Sequence, residues 1–273
     1  MRPSIALFAG ALFVVGFPAL ADQSSPAASE PLVAAGATLA SAAPSTSDVL
    51  DGTAAEPAPE QPASVAAPES LELPRFVPPP TDKPAVRLRS ASSRTAGETW
   101  PQVYALVPEQ PGQTIFSQPS LFWYVDEPPP AGAKTLFTLI RDSQDVPVAE
   151  LEIDTPTRAG IHRIRLADYG VMLSPGIDYE WSVALVVDSE RWSRNPYAVG
   201  GIERVADPQP LASRLAAAGS TGKPHAYAEL GLWYDALTVV SNMADAAPDD
   251  PGPAEMRSAL LRQVGLGDIA DLR

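Results

Sequence analysis

Residues 173–187 read Leu-Ser-Pro-Gly-Ile-Asp-Tyr-Glu-Trp-Ser-Val-Ala-Leu-Val-Val. Pro175-Gly176 suits a turn whose second central residue needs a positive φ. Beyond it, Trp181, Val183, Leu185 and Val187 alternate with Glu180, Ser182 and Ala184, the period-two pattern of a strand with one buried face. Tyr179 shares the apolar parity and follows a corner.

That tyrosine matches the corner of immunoglobulin-like and fibronectin-like sandwiches, where the hydroxyl bonds back to the backbone. Working outward, short alternating runs separated by turn residues predict strands at 102–107, 120–125, 134–141, 146–153, 161–166, 179–187 and 199–205. The expectation is therefore a mainly β fold, an immunoglobulin-like antiparallel β-sandwich over residues 98–207. Such a fold carries no functional assignment by itself.

Two of these strands read as a hairpin around the loop Thr-Pro-Thr-Arg-Ala-Gly. Leu151 and Ile153 alternate with Glu150, Glu152 and Asp154, and Ile164 and Leu166 with Arg163 and Arg165. If Asp154 faces Ile161, Glu152 faces Arg163 and Glu150 faces Arg165, each pair worth roughly 0.2–1 kcal/mol. A salt-bridged sheet face is then the plainer reading of acids about 6.6 Å apart, against a carboxylate pair for sugar hydrolysis. The same register turns His162 inward with Ile164, opposite Ile153, as an edge or core residue.

After Asp207-Pro208 the period changes, and residues 208–273 read as a small helical region. Leu211 and Leu215 lie on one face of a helix that ends at Gly219. A second unit spans residues 226–248, in which Gly231 closes one helix in the left-handed conformation, Ala236 permits close packing and Pro248 stops the next helix. These offsets match half of a tetratricopeptide pattern, with Met243 where a small residue is usual. A lone hairpin of this kind has to dock on the sandwich, on the last helix (254–264) or on another molecule.

The chain begins with MRPSIALFAGALFVVGFPALA, residues 1–21, in the order of a secretory signal peptide. The apolar run is shorter than the roughly 20 residues a membrane-spanning helix needs, so cleavage is expected, and contact with a membrane only if the signal stays uncleaved. The chain has no cysteine, which removes disulfides, thiol nucleophiles, Cys-ligated metals and a thioether lipid anchor together. Residues 22–97, rich in Ala, Pro and Ser, are expected to be a disordered tail. Positions 22–73 hold eight acids and no Lys or Arg, contributing −8 of a net charge of −14. Arg75, Lys83, Arg87, Arg89 and Arg94 then reverse the sign, either as a solvated linker or as a basic strap for an anionic envelope surface. The overall charge argues against a nucleic-acid partner.

Two groups of aromatic residues stand out as candidates for partner binding. Arg191, Trp192, Arg194 and Tyr197 share a polar segment that Pro196 keeps from continuous strand pairing. Loops on rigid sandwiches often bind, and Trp, Tyr and Arg dominate interface energetics; the plainer role is to cover an open end of the sandwich. Trp233 and Tyr234 on the helical unit are the second group, with docking inside the chain as their plainer role.

Several pieces occur in a characteristic order: Pro74-Arg-Phe-Val-Pro-Pro-Pro80, Ala105-Leu-Val-Pro108, Gln118-Pro-Ser-Leu-Phe-Trp123-Tyr-Val125, Tyr179-Glu-Trp181, Gly201-Ile-Glu-Arg204-Val205 and Gly231-Leu-Trp-Tyr-Asp-Ala-Leu237. Together, over roughly residues 74–270, they resemble the bacterial domain of unknown function 928 family. Members often carry a cysteine or two in the sandwich, and this chain has none. The family has no assigned activity, so the resemblance implies an exported, two-part architecture and transfers no catalytic residue.

No nucleophile elbow, phosphate-binding glycine loop or histidine–carboxylate cluster with ligand spacing is present. With only His162 and His225, a three-histidine zinc site is excluded. The expectation is a non-enzymatic binding or scaffold protein of the bacterial cell envelope, exported to the periplasm or beyond. It would bind an envelope protein and need no cofactor, metal or catalytic residue. The alternatives are a carbohydrate- or cell-wall-binding module, with Trp192 and Tyr197 stacking on a polysaccharide, and a hydrolase built on dispersed acids.

Overall fold

The computed structural model describes residues 72–86 and 100–271 except positions 143 and 145. The expected signal peptide, and most of the expected tail, lie outside the described residues.

The strand read from residues 173–187 is the middle of the larger sheet. It is β7 (Asp178–Val186), and Tyr179, Trp181, Val183 and Leu185 are all buried. It pairs antiparallel with β4 (Lys134–Arg141) and β8 (Tyr197–Arg204). The sheet is completed by β5 (Pro147–Ile153) beyond β4 and β2 (Gly112–Thr114) beyond β8, in the order β2-β8-β7-β4-β5. A second sheet has the order β1-β3-β6, from β1 (Val103–Ala105), β3 (Ser120–Val125) and β6 (Gly160–Arg165). The Tyr179 hydroxyl accepts the Ser174 N–H at 3.0 Å across the Pro175-Gly176 turn, where Gly176 has φ +69°.

Two features of this strand map depart from the sequence reading. β2 is too short for three residues to show a period, and it pairs parallel with β8, so the larger sheet is mixed. The expected hairpin of β5 with β6 does not form: β5 pairs with β4, and β6 with β3 in the other sheet. The chain therefore crosses between sheets over positions 154–159. Alternation shows that a strand buries one face but not against which neighbour, and six residues suffice to cross a gap of about 10 Å. The expected Glu152–Arg163 and Glu150–Arg165 pairs are absent. Glu152 instead takes Lys134 at 2.9 Å, and Arg163 reaches Asn242 at 2.6 Å and Asp245 at 3.2 Å. His162 keeps the parity of Ile164 but stands opposite Trp123, not Ile153.

β3 is buried along its whole length. Its second face, carrying Phe122 beside Arg163, is covered by the helical region, which is why this segment is a continuous apolar run. The helices are α1 (Leu211–Glu229), α2 (Trp233–Ala246), α3 (Pro251–Gln263) and the short α4 (Gly267–Ala270). α1 is broken at Gly219, where φ is +62°, at the position read as a helix end. Gly231, at φ +76°, lies between α1 and α2 as expected. Asp250 caps α3 by accepting the Gly252 N–H at 2.9 Å, and Pro251 follows at the first helical position. Among the described residues, no helix is long and apolar enough to cross a membrane.

Residues 72–86, assigned from composition to the tail, form an extended strap packed on the rest of the chain. Gln263 of α3 grips it at both sides of Arg75, accepting from Phe76 N and donating to Pro74 O, each at 2.8 Å. Val77 N donates to Ala228 O at the end of α1 (3.0 Å), and the buried Phe76 ring meets Trp233 edge-on at 5.0 Å. Further along, Lys83 pairs with Asp178 (2.8 Å) and Glu203 (2.7 Å), and Val86 N bonds Glu109 O. Lys83 thus spends its charge inside the chain. Arg87, Arg89 and Arg94 lie outside the described residues.

Candidate functional site

The segment between β7 and β8 is held by two side chains. Asn195, buried, accepts the Val187 and Asp188 N–H groups at 2.9 Å and donates to Asp188 O at 3.0 Å. Asp188 accepts the Glu190 and Arg191 N–H groups at 2.9 and 3.0 Å and the Arg191 Nε–H at 2.8 Å. Desolvation pushes the Asp188 carboxyl up, but these N–H groups and the Arg191 charge outweigh it and hold it below the usual range. The loop is therefore shaped before any ligand arrives. It presents Trp192 at 58% exposure, on a short 3-10 turn, and Tyr197 at 42% at the start of β8. Arg191 is exposed and Arg194 half-buried. The chain brings these four residues onto one ordered loop, and neither aromatic is sunk into the core.

Trp233 and Tyr234 sit elsewhere, and both are fully buried, so they cannot touch a partner. The first turn of α2 packs against the β region. Trp233 Nε1 donates to Leu106 O at 2.9 Å, just past β1. The Tyr234 hydroxyl donates to Gly201 O of β8 and accepts from Trp181 Nε1 of β7, both at 2.8 Å. Its ring lies against Gly112, where an added Cβ would come within 2.8 Å of the ring, so β2 needs glycine there. A lone helical hairpin has to bury its apolar face, and these residues bury it against the sheets of its own chain.

Asp235 completes the joint and was not singled out in the sequence. Oδ1 meets Thr114 Oγ1 at 2.6 Å and Oδ2 accepts the Ile115 N–H at 3.0 Å, so α2 holds the end of β2. Burial pushes its carboxyl up to about 7, the two hydrogen bonds acting against that rise and Asp207 adding to it. The signal available beforehand was its place in the Gly-Leu-Trp-Tyr-Asp-Ala-Leu run, an acid inside an otherwise apolar helix start.

Beneath the connection from β5 to β6 lies a cleft of about 370 Å³. Trp123 and His162 line it with their rings 5.0 Å apart, together with Arg158, Arg165, Asp154 and Asp168. Burial holds the His162 imidazole below its ordinary range, the hydrogen bond it donates to the Arg158 carbonyl opposing and the Arg158 charge adding to that shift. The other histidine, His225, is on α1, with Nε2 2.8 Å from Glu72 O of the strap. Among the described residues, no group of three or more His, Asp or Glu side chains is placed to hold a metal ion.

No curated protein matches this chain. A family model described as Domain of Unknown Function (DUF928) matches residues 88–272, which takes in both sheets and the helical region and leaves the strap outside. The match spans more than half of the sequence, and the chain belongs to that family.

Proposed function

We propose that this protein is an exported, non-enzymatic binding or scaffold protein of the bacterial cell envelope. In this reading the two sheets make an immunoglobulin-like sandwich and α1–α2 a tetratricopeptide-like hairpin docked on it. The bond between Tyr179 and the Ser174 backbone supports the first assignment, and the left-handed Gly231 between the helices supports the second.

The observation that carries the functional reading is the loop at 188–197. A buried asparagine and a capping aspartate order it, yet it leaves a tryptophan exposed to water. Pre-shaping lowers the entropy lost on association, and exposed Trp, Tyr and Arg are the residue types that anchor interfaces. The test is a photo-crosslinker placed at position 194, in mature protein with either Trp192 or Trp192→Ala, incubated with envelope extract. One discrete protein adduct that disappears in Trp192→Ala supports the reading, and an unchanged adduct pattern removes it.

The two exposed rings on one loop also favour a second reading, stacking on a polysaccharide. Retention on peptidoglycan beads that is lost in a Trp192→Ala/Tyr197→Ala double variant, with no protein adduct, selects this reading over the first.

A further inference from the structure

The cleft under the β5–β6 connection is separate from the loop at 188–197 and makes its own case. Its floor holds a donor with nothing to donate to. Trp123 is 1% exposed, and its Nε1–H has no acceptor among the described residues. The other two fully buried tryptophans are both satisfied, Trp181 by the Tyr234 hydroxyl and Trp233 by Leu106 O. Buried polar groups are normally paired, so an indole N–H left unpaired on a residue that lines the cleft calls for an acceptor there.

Beside it stands His162. Its Nε2 is 3.1 Å from Arg158 O, and a carbonyl only accepts, so Nε2 carries the hydrogen and Nδ1 is left as an acceptor. Donor and acceptor thus sit side by side, on residues that are direct partners across β3 and β6. The walls repeat the pattern. Arg158 and Arg165 supply donors, while Asp154 and Asp168 supply acceptors. Arg163 also lines the cleft but is engaged with Asn242 and Asp245. With the Arg163 charge offset by Asp245 at 3.2 Å, the remaining two cations against two carboxylates leave no net charge, so a simple anion would meet as much repulsion as attraction. A hydroxyl group both donates and accepts, and a set of neighbouring hydroxyls suits such a lining. Tyr169, 40% exposed at the rim, offers a ring face for stacking.

We propose that this cleft binds a neutral polyhydroxylated ligand about the size of one or two sugar residues. The volume of about 370 Å³ lies at the small end of the range for ligand sites. The Trp123 N–H and His162 Nδ1 serve one hydroxyl from the floor, and Arg165 and Asp168 serve others from the wall.

The experiment is a titration of the mature protein with chitobiose, cellobiose, glucuronate and inorganic phosphate. The readout is the indole N–H resonance of Trp123 in ¹H–¹⁵N spectra. A neutral disaccharide is expected to shift that resonance saturably. Arg165→Ala and Asp168→Ala, both at exposed side chains, should each weaken binding about tenfold. Trp192→Ala should leave the affinity unchanged, which separates this site from the loop. The proposal is overturned if neither disaccharide moves the Trp123 resonance at millimolar concentration. It is overturned equally if only phosphate or glucuronate does so, or if Trp192→Ala abolishes the shift while the two cleft variants do not.

Discussion

Replacing Asp235 with asparagine should change how the stability of this protein depends on pH. The carboxyl is buried between α2 and β2, and its pKa in the folded chain is about 7, against about 3.9 for an unfolded aspartate. The folded state therefore binds this proton more tightly than the unfolded state. The contribution of this one group to stability is largest below about pH 4, declines by about 1.4 kcal/mol per unit up to about pH 7, and is level above that. Between pH 5 and pH 8 the loss from this one group is about 2.5 kcal/mol. Asparagine cannot ionise, and its amide can donate to Thr114 Oγ1 while its oxygen accepts from Ile115 N, preserving both contacts. The assay is urea unfolding of both proteins at pH 5, 6, 7 and 8. Glu180, raised by burial and by Asp142, changes stability in the same direction as Asp235. His162, lowered mainly by burial, acts oppositely, costing stability as pH falls through its ordinary value. Both groups are present in each protein, so the difference between the curves isolates Asp235. The wild type should lose about 2.5 kcal/mol relative to the variant across the series. Parallel curves would refute the reasoning, because they would mean that Asp235 titrates normally when folded.

Three other substitutions probe the joint, the strap and the corner. Trp233→Ala removes a fully buried ring and the N–H bonded to Leu106 O, and should cost about 3–5 kcal/mol in denaturant unfolding, with helix and sheet signals melting together. Separate transitions would show that the helical region does not depend on this contact. Phe76→Ala should cost about 3 kcal/mol by calorimetry, because the strap covers Trp233 with that ring; a change within about 0.5 kcal/mol would mean that the strap contributes nothing to the core. Tyr179→Phe leaves the Ser174 N–H without its acceptor and should cost about 1 kcal/mol in urea unfolding, with no effect expected on any ligand titration.

Much of the strand map could be read from local pattern. β3 and β4 fall where the alternation placed them, and β7 is the one-sided strand that residues 173–187 describe. The change to helical period after Pro208, the break at Gly219 and the left-handed Gly231 were equally legible, since each depends on a residue's own backbone preferences. The exposed loop could be named too, because Pro196 and a run of polar residues are local facts.

What escaped was every question of which surface meets which. β5 and β6 look like a hairpin, and each alternates correctly, but one apolar row packs as well on a distant sheet as on its neighbour in sequence. Trp233 and Tyr234 carry the residue types of an interface, and they do form one, with Leu106, Gly201 and Trp181 of their own chain. The strap is proline-rich and almost without aromatics, and composition averages away the single phenylalanine that packs against Trp233. Asp235 and the unpaired Trp123 indole gain their character from burial, and burial is a property of neighbours. The sequence alone determined where most strands, helices and turns lie, β2 and the strap at 72–86 excepted, because those preferences act over a few residues. Only the tertiary structure decided which side chains are sealed in, which stand in water and which polar atoms lack a partner, because that depends on surfaces brought together across more than a hundred residues.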